Sequence, residues 1–581
     1  MNSSRLKYEG WLYGLAFLIA IGFRLIQLGA TALTDSEATL ALQSLRIAQG
    51  SDPLLGPQPL YILFTSLFFA VIEGTNFMAR VLPALAGSVL VFAPSMFRDQ
   101  LKPRPAVILA FLFAIDPGLV FFSRQANGTL LAVTLLLFAG GMWMQRRLIP
   151  AGILAGLALL AGPSLWAGLL TLGIAWLFTR GLEAKPSSEK SEISEPQTSS
   201  DKLPITTYEF RPAIISLILT LVLGGTLFFM VPNGLSAWVS SLPAYLSGWI
   251  QPSTMTPGRM IFTLLVYEPL GIFLAVLSLI RGYRTGSKRI IRLSLWLGVS
   301  LLLAIFYRQP AELLWVILPL LTLASIELSR TLNVFPSERL EVGVVTTAFL
   351  ILLTYIWFDI SAIGLDPFNQ FVTDIPLIGS IQNPRYAILY GALAILMACI
   401  AFVSFGWSGR IAWLGTAWSF VIFLTIYTLG AAWGGSGLRY PNGVELWTLD
   451  QKPMQADLLL ASVNDISEFS LGDDQSQPVT VMGIDSPALE WLLRNHAVQL
   501  ASTLDTQLAP PIVVTPIMSD LSLPSAYRGQ DFIWRQRIMY ESMPMPEWWR
   551  WLVNRQLPRE NETIILWARN DLFPDAREDT Q

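Results

Sequence analysis

Apolar residues are gathered into long runs over the first three quarters of the chain. A helix that crosses the hydrocarbon core of a bilayer needs roughly 17–25 such residues. The pattern predicts a polytopic α-helical membrane protein with about thirteen transmembrane helices, several of them short. The predicted spans are 11–28, 79–97, 106–122, 129–145, 148–162, 164–180, 211–230, 261–280, 291–307, 311–327, 342–359, 386–405 and 411–432.

The apolar segment 59–73 is shorter, and the positive charges decide how it is placed. If it lies on the outer surface without crossing, the clusters of Lys and Arg between the other spans all fall on one side of the membrane. Cytoplasmic loops carry this excess of positive charge. We therefore expect a multi-pass protein of the cell membrane, with its N-terminus in the cytoplasm and its C-terminus outside. Loop 29–78 then faces outward.

The polar stretches divide the chain into four predicted regions. Residues 1–180 and 211–433 form two membrane modules, joined by a cytoplasmic linker, 181–210, whose mixed charge and few apolar residues indicate disorder. Residues 434–581 change in character, with short strands bounded by turn residues. The strands predicted there are 478–485, 511–515, 532–539 and 563–568, with helices over 487–495 and 546–557. This pattern indicates an extracytoplasmic α/β domain.

The amino-acid composition agrees with a membrane protein and limits the kinds of binding site that the chain can form. Hydrophobic residues make up 53% of the 581 positions and charged residues 14%, where soluble proteins have about 25% charged residues. The net charge of −3 gives no support for a nucleic-acid partner. The single cysteine, Cys399, and the single histidine, His496, exclude a disulfide framework and nearly exclude a zinc site. A metal would need Asp and Glu oxygens, which suit hard divalent cations.

Two carboxylates, Asp35 and Glu37, lie where the first outer loop turns into a helix. They could bind a divalent cation, or one of them could act as a general base. The simpler interpretation is that Asp35 caps the helix and Glu37 favours its positive end. Spacing alone favours this structural interpretation.

The order of motifs in the first 180 residues resembles the GT-C superfamily of membrane glycosyltransferases. The resemblance is carried by the acidic helix start, the Pro-Leu-Tyr at 59–61, the Ala-Arg-x-Leu-Pro-Ala-Leu at 79–85 and the stretch 116–124. The protein O-mannosyltransferase-like family and the bacterial aminoarabinose transferases are the nearest groups. The "flippase activity-associated" branch is more similar still, through segments 267–269, 486–495, 527–532 and 564–572.

The resemblance implies transfer of a hexosyl or mannosyl group from a polyprenyl-phosphate sugar on the outer face of the membrane. It implies that an acidic residue activates the acceptor, often beside Mg²⁺ or Mn²⁺. The partners would be a lipid-linked sugar, membrane lipids and an acceptor lipid or protein. It implies catalytic roles for Asp35, Glu37 and Asp116, with Asp35 and Glu37 as metal ligands, and substrate contacts for Arg124, Arg308, Arg80, Glu268 and Tyr61. Arg308, in a tight outer turn, is the preferred phosphate contact.

Three positions depart from the family pattern. The adjacent Asp-Glu of the family is here Ser36-Glu37, so that the aspartate lies one residue earlier, and Asn127 and Thr129 stand where relatives carry Arg and Asp. One helical residue turns a side chain by about 100°. A second hypothesis is therefore a non-catalytic scaffold or a helper in the translocation of lipid-linked sugars. A secondary transporter is a third, disfavoured because neither repeats nor broken helices are evident in the sequence.

Overall fold

The structure is a computed structural model that describes most of the chain. The described residues are 8–183, 210–251, 253, 255–332, 338–366, 372–375, 379–382, 384–439, 444–502, 509–517, 525–540 and 543–573. The predicted linker lies outside these residues over 184–209. All the other predicted spans and tail elements fall largely within them.

The first membrane module contains eleven described helices. Long apolar stretches form most of them, while Pro at their first turns starts several. They are α1 (Glu9–Leu25), α2 (Asp35–Ala48), α3 (Pro59–Val71), α4 (Asn76–Val89), α5 (Ala93–Met96), α6 (Arg98–Leu101), α7 (Pro103–Ile115), α8 (Pro117–Ser123), α9 (Thr129–Met144), α10 (Leu148–Leu159) and α11 (Ser164–Glu183).

The second module continues in the same way and adds a short antiparallel hairpin. Its helices and strands are α12 (Arg211–Gly225), α13 (Asn233–Ser247), α14 (Pro257–Tyr267), α15 (Pro269–Arg284), α16 (Lys288–Tyr307), α17 (Leu313–Thr331), α18 (Arg339–Leu365), β1 (Val372–Ile375), β2 (Gly379–Gln382), α19 (Pro384–Gly406) and α20 (Gly409–Gly435). Most predicted spans therefore coincide with observed helices to within a few residues.

Two helix pairs are bent where a carboxylic acid precedes a proline. The axes of α7 and α8 differ by 55° across Asp116, and those of α14 and α15 by 89° across Glu268. Proline removes a backbone donor and excludes the residue before it from the helical region, which explains both breaks. The expectation that broken helices are absent is wrong. In the sequence an acid is followed by a proline at both positions, although each had been predicted to lie within one continuous span.

The membrane-spanning character is confirmed, but the number of spans only in part. Within the described residues, six helices are long and apolar enough to cross a membrane, or up to eight if each bent pair counts as one span. Several other predicted spans, among them α9, α10 and α12, are apolar helices of 10–17 residues. Such lengths fall at or below the usual minimum for a crossing.

The tail folds around a five-stranded mixed sheet. Its elements are α21 (Ala456–Leu471), β3 (Val479–Met482), α22 (Pro487–Leu492), β4 (Val498–Ala501), β5 (Ile512–Pro516), β6 (Tyr527–Ile538), α23 (Met545–Asn554) and β7 (Arg559–Arg569). The strand order is β4-β3-β5-β7-β6, in which β3 pairs in parallel with β4 and β5, and β7 pairs antiparallel with β5 and β6. The predicted strands and helices are found here, whereas α21 and β4 were not predicted.

The tail shares its core with the membrane modules. One buried cluster joins α2 and α3 to α21, α22 and the sheet, and Phe69 packs on Trp491 with ring centroids 5.7 Å apart. The Trp491 indole N–H also donates to Asn76, at 2.8 Å. A second cluster joins α17 to Trp447 and Trp551. This shared packing fixes the tail over the outer-loop helices α2 and α3.

Candidate active site

Glu37 is buried and its carboxylate is fully occupied. Arg80 donates from Nε to one oxygen (2.9 Å) and from Nη2 to the other (2.8 Å). The backbone N–H groups of Ala126 and Thr34 donate as well, at 2.9 and 3.0 Å. Thr34 and Glu37 thereby form a capping box at the start of α2. The glutamate joins α2, α4 and the loop after α8.

These contacts outweigh the effect of burial on the acid. Burial by itself raises the pKa of Glu37, but the Arg80 guanidinium and the N–H donors together lower it below its ordinary value. The stabilisation from this group is present above the pKa of the unfolded chain and is lost only as the pH falls through the lowered value. A carboxylate held in this way is a weak base. Its contacts indicate that Glu37 stabilises the fold.

Asp35 points away from Glu37 and towards the tail. Its carboxylate accepts from the Ser486 hydroxyl at 2.7 Å and from the Ala488 N–H at 3.2 Å, and it forms an ion pair with Arg535. Ser486 is the N-cap of α22 and Arg535 lies on β6. The aspartate that lies one residue earlier than in the family pattern therefore makes a contact between the first membrane module and the tail. Asp35 lines neither of the two cavities described below.

We expect Asp35→Asn to loosen the tail without abolishing the function of the protein. Loss of the charged acceptor removes one ion pair and weakens two hydrogen bonds, and a hydrogen bond to a charged group contributes about 1.5–3 kcal/mol. Hydrogen exchange in α22 should then become faster. The control is Asp99→Asn, at an exposed position in α6. Unchanged exchange in α22 would show that Asp35 does not hold the tail.

The predicted metal site does not fit these two residues. The Asp35 carboxylate is engaged by the tail and the Glu37 carboxylate by Arg80, so that neither oxygen pair is directed to a common point. A divalent cation needs several converging oxygens. No group of three or more Asp, Glu, His or Cys side chains suited to a metal occurs among the described residues.

Asp116 and Glu268 meet at the two helix breaks. Both carboxyl groups are almost fully buried and are close neighbours. Asp116 also caps α8 by accepting from the Leu119 N–H at 2.7 Å. Among the described residues Glu268 pairs with no arginine, and the ionisable group beside it is Asp116. The pair lines neither cavity.

The predicted substrate contacts are dispersed. Arg80 and Arg124 line the smaller cavity, but Arg124 also donates to four backbone carbonyls at the end of α1. Tyr61 is buried and donates to the Ala79 carbonyl at 2.7 Å, outside both cavities. Arg308 ends α16 in a left-handed conformation, is exposed, and lines neither cavity. The structure thus brings Glu37, Arg80 and Arg124 to one cavity, whose wall includes residues 309 and 310 of the next turn but not Arg308.

Two cavities flank the segment 444–452, which we call the strap. The smaller, of about 320 Å³, has a polar wall formed by residues of the segment 27–37, α4 and the loop after α8. The larger, of about 1080 Å³, lies between the start of α14, the end of β6 and α23. Thr448, Leu449, Asp450 and Lys452 line both. The strap is therefore the shared boundary of the two cavities.

The first half of the strap is held firmly. Glu445 accepts from the Tyr267 hydroxyl and lies beside the buried Arg555. Trp551 donates to the Val444 carbonyl at 2.8 Å. Arg259 donates to the strap carbonyls of residues 446 and 448, at 3.0 and 2.8 Å. The next residues, 449 and 450, are by contrast exposed to the cavities.

Asp450 and Lys452 are the two charged side chains that the strap presents to both cavities. Neither makes a hydrogen bond or an ion pair with any part of the chain that the structure describes. Burial lowers the pKa of Lys452, as do the neighbouring Arg80 and Arg124, while Glu37 and Glu445 oppose the shift. Nearby, the buried Trp447 indole N–H lines the smaller cavity and finds no partner among described residues.

The sequence did not single out the strap. The available signal was the pair of charged residues Asp450 and Lys452, directly after a short, mostly apolar stretch that lies beyond the last span. Position alone did not reveal that this segment returns to the outer-loop residues, because the contacts are made by side chains hundreds of positions away. Charged groups that face a cavity without partners are typical of functional sites.

Comparison with solved structures identifies the fold. The chain is similar to ArnT from Cupriavidus metallidurans bound to undecaprenyl phosphate, at 11% identity and a TM-score of 0.53, with 98% of this chain and 99% of that chain covered. The apo state of the same protein gives 13% identity and a TM-score of 0.50, over 87% and 93% of the chains. No protein-family model matches the chain, and no curated protein matches it.

A third structure, the Archaeoglobus fulgidus oligosaccharyltransferase tethered with an acceptor peptide, has a TM-score of 0.40 at 12% identity, over 85% and 64% of the chains. That value is too low to support an argument. The ArnT similarity, at such low identity, shows the fold alone, which is the GT-C fold of that protein. The sequence-based resemblance is confirmed at this level. The narrower mannosyltransferase-like branch stays a prediction.

Proposed function

We propose that the chain is a membrane glycosyltransferase that moves a sugar from a polyprenyl-phosphate donor to an acceptor on the outer face of the cell membrane. The observation that carries the proposal is the pair of unpartnered charges, Asp450 and Lys452, at the boundary of a polar cavity and a cationic, partly apolar one. The GT-C fold supports the same reaction class, since the similar ArnT structure is bound to undecaprenyl phosphate.

The two charges suit the two ends of the reaction. Asp450 takes the proton from the acceptor hydroxyl, whose oxygen forms a bond to the anomeric carbon of the sugar. The bond between that carbon and the phosphate oxygen breaks, and its electron pair leaves with the polyprenyl phosphate. The Lys452 ammonium stabilises this negative charge. Attack opposite the leaving phosphate inverts the anomeric configuration.

The remaining residues of the smaller cavity have supporting roles in this proposal. The Glu37–Arg80 pair fixes the cavity wall, and Arg124 holds the end of α1 beside it. The Trp447 indole N–H offers a donor to a sugar hydroxyl. The steps need no metal ligand from Asp35 or Glu37.

Turnover by the purified chain tests the proposal. The full-length protein in lipid nanodiscs is incubated with polyprenyl-phosphate hexoses and with extracted membrane lipids and proteins as acceptors. We expect release of polyprenyl phosphate, measured by chromatography, together with a glycosylated product. Thermal unfolding is used to show that the purified protein is folded. If folded protein gives neither polyprenyl phosphate nor a glycosylated product with any hexose or acceptor, the proposed reaction is contradicted.

A second candidate is a non-catalytic scaffold or translocation helper in surface glycan assembly. It is favoured by the use of Asp35 for an interdomain contact and of Glu37 for a buried ion pair. This candidate predicts that neutralising Asp450 leaves the cellular glycans unchanged. The proposed transferase predicts that they are lost.

A further inference from the structure

Three helix ends gather positive charge at the turn between α15 and α16. Both helices pack against α17, and Gly286, with a φ of +59°, allows the tight turn that joins them. We call the six cationic side chains at these ends the basic cluster. They are Arg281 and Arg284 on α15, Lys288, Arg289 and Arg292 on α16, and Arg330 on α17.

A single carboxylate balances part of this charge. Glu327 is buried in α17 and pairs with Arg281 at 2.9 Å and with Arg330 at 4.0 Å. Among the described residues no other acidic side chain forms an ion pair with the basic cluster. The first turn of α16, where a helix favours negative charge, contains no acid either. Most of the positive charge is therefore not balanced.

Three members of the basic cluster are available to a ligand. Arg284 and Lys288 are exposed, and their side chains form no hydrogen bond or ion pair with described residues. Arg289 is partly buried, and its Nη2 is enclosed without a hydrogen-bond partner in the described chain. It also lies close enough to Arg330 for the two like charges to repel. An anionic oxygen at this point would accept from Arg289 and reduce the repulsion.

The surface beside the basic cluster is apolar. Val276 and Ile280 are exposed on α15 and precede Arg284 at intervals of four residues, so that the three side chains share one face of the helix. Both α15, as part of a bent pair, and α16 are apolar enough to lie in a membrane. A ligand that matches this surface has an anionic head at the helix ends and an apolar chain along α15.

We propose that the basic cluster binds the headgroup of an anionic phospholipid, in the leaflet that we expect to face the cytoplasm. The phosphate oxygens accept from Arg284, Lys288 and the free Nη2 of Arg289, while an acyl chain lies along Val276 and Ile280. Basic pockets between membrane helices bind anionic headgroups in this way.

This lipid site is separate from the two cavities. The 20 residues of α16 extend over about 30 Å, and the turn after its far end contributes Gln309 and Pro310 to the smaller cavity. The proposal therefore does not depend on sugar transfer.

An excess of Lys and Arg in a cytoplasmic turn is a general feature of membrane proteins and needs no ligand. The turn between α9 and α10 is such a case, with the exposed Arg146 and Arg147. The basic cluster differs from it because charges from three helices converge and one buried donor has no acceptor among the described residues. The α9–α10 turn therefore serves as a control.

Native mass spectrometry of the delipidated full-length chain tests the proposal. The probes are phosphatidylglycerol and phosphatidylcholine with the same acyl chains. We expect phosphatidylglycerol to bind at least tenfold more tightly, because each nearby cation adds attraction for an anionic headgroup. Equal binding of phosphatidylcholine would exclude recognition of charge. Displacement of phosphatidylglycerol by an equal concentration of inorganic phosphate would show an anion site without a role for the acyl chains. Either result overturns the proposal.

Two double variants locate the lipid. Arg284→Gln with Lys288→Gln removes two exposed charges that make no structural contact, and should weaken phosphatidylglycerol at least tenfold without changing the binding of phosphatidylcholine. Arg146→Gln with Arg147→Gln removes the same charge at the control turn and should leave both lipids unaffected. If the first double variant binds phosphatidylglycerol as the unmodified chain does, or if the control weakens it equally, the lipid is not held at the basic cluster.

Discussion

Replacing Asp450 by asparagine is expected to lower the rate of sugar transfer by between about 100-fold and 10,000-fold, the usual contribution of a general base. The carboxylate faces both cavities and has no partner among the described residues, so that its loss removes the proton acceptor without breaking a structural contact. Binding of polyprenyl phosphate should remain, because the asparagine removes a negative charge from the cationic wall.

The measurement compares initial rates of polyprenyl-phosphate release for the unmodified chain and Asp450→Asn in nanodiscs. Asp457→Asn is the matched control, since this exposed aspartate lies in the first turn of α21 and lines neither cavity. The control should retain full activity. If the Asp450→Asn protein transfers sugar at the normal rate, Asp450 is not the general base.

Replacing Glu37 by alanine is expected to destabilise the protein by about 3–5 kcal/mol, the usual cost of removing one partner from a buried ion pair. Arg80 is almost fully buried, and without Glu37 its guanidinium keeps only the carbonyl and hydroxyl contacts in the loop between α1 and α2. The Ala126 N–H loses its acceptor as well. The first outer loop, α4 and the loop after α8 should then separate together.

Denaturant unfolding of the purified protein measures this effect. In a double-mutant cycle, the losses of unfolding free energy caused by Arg80→Met and Glu37→Ala should be far less than additive, because each substitution removes the same ion pair. Thr39→Ala, on the exposed side of α2, is the control. A Glu37→Ala protein of normal stability that has lost only sugar transfer would identify Glu37 as catalytic, as the sequence resemblance implied.

The spans and the tail strands could be predicted from sequence because both depend on local patterns. The apolar runs match helices such as α16 and α20, the β-branched run 511–515 matches β5, and the segment 563–568 matches β7. The helix breaks carried a local signal too, an acid before a proline. The count of spans was less certain, since short apolar runs such as that of α10 fit both a crossing and a buried helix.

The site was harder to predict because its contacts are distant in sequence. Asp35 was proposed as a catalytic and metal-binding residue, yet its partner Arg535 lies 500 positions away. The outward position of Arg308 suggested a phosphate contact, but only the folded chain shows that the strap, and not this turn, lies between the cavities. The sequence drew attention to the loop that lines the smaller cavity, but not to the strap.

The central claim is that a lipid-linked phosphate binds at the strap, and a density map of the protein with added polyprenyl phosphate tests it most directly. The account predicts phosphate density within hydrogen-bond distance, roughly 2.7–3.2 Å, of the Lys452 ammonium. Phosphate density at the Arg308 turn, or anywhere away from the strap, would contradict it.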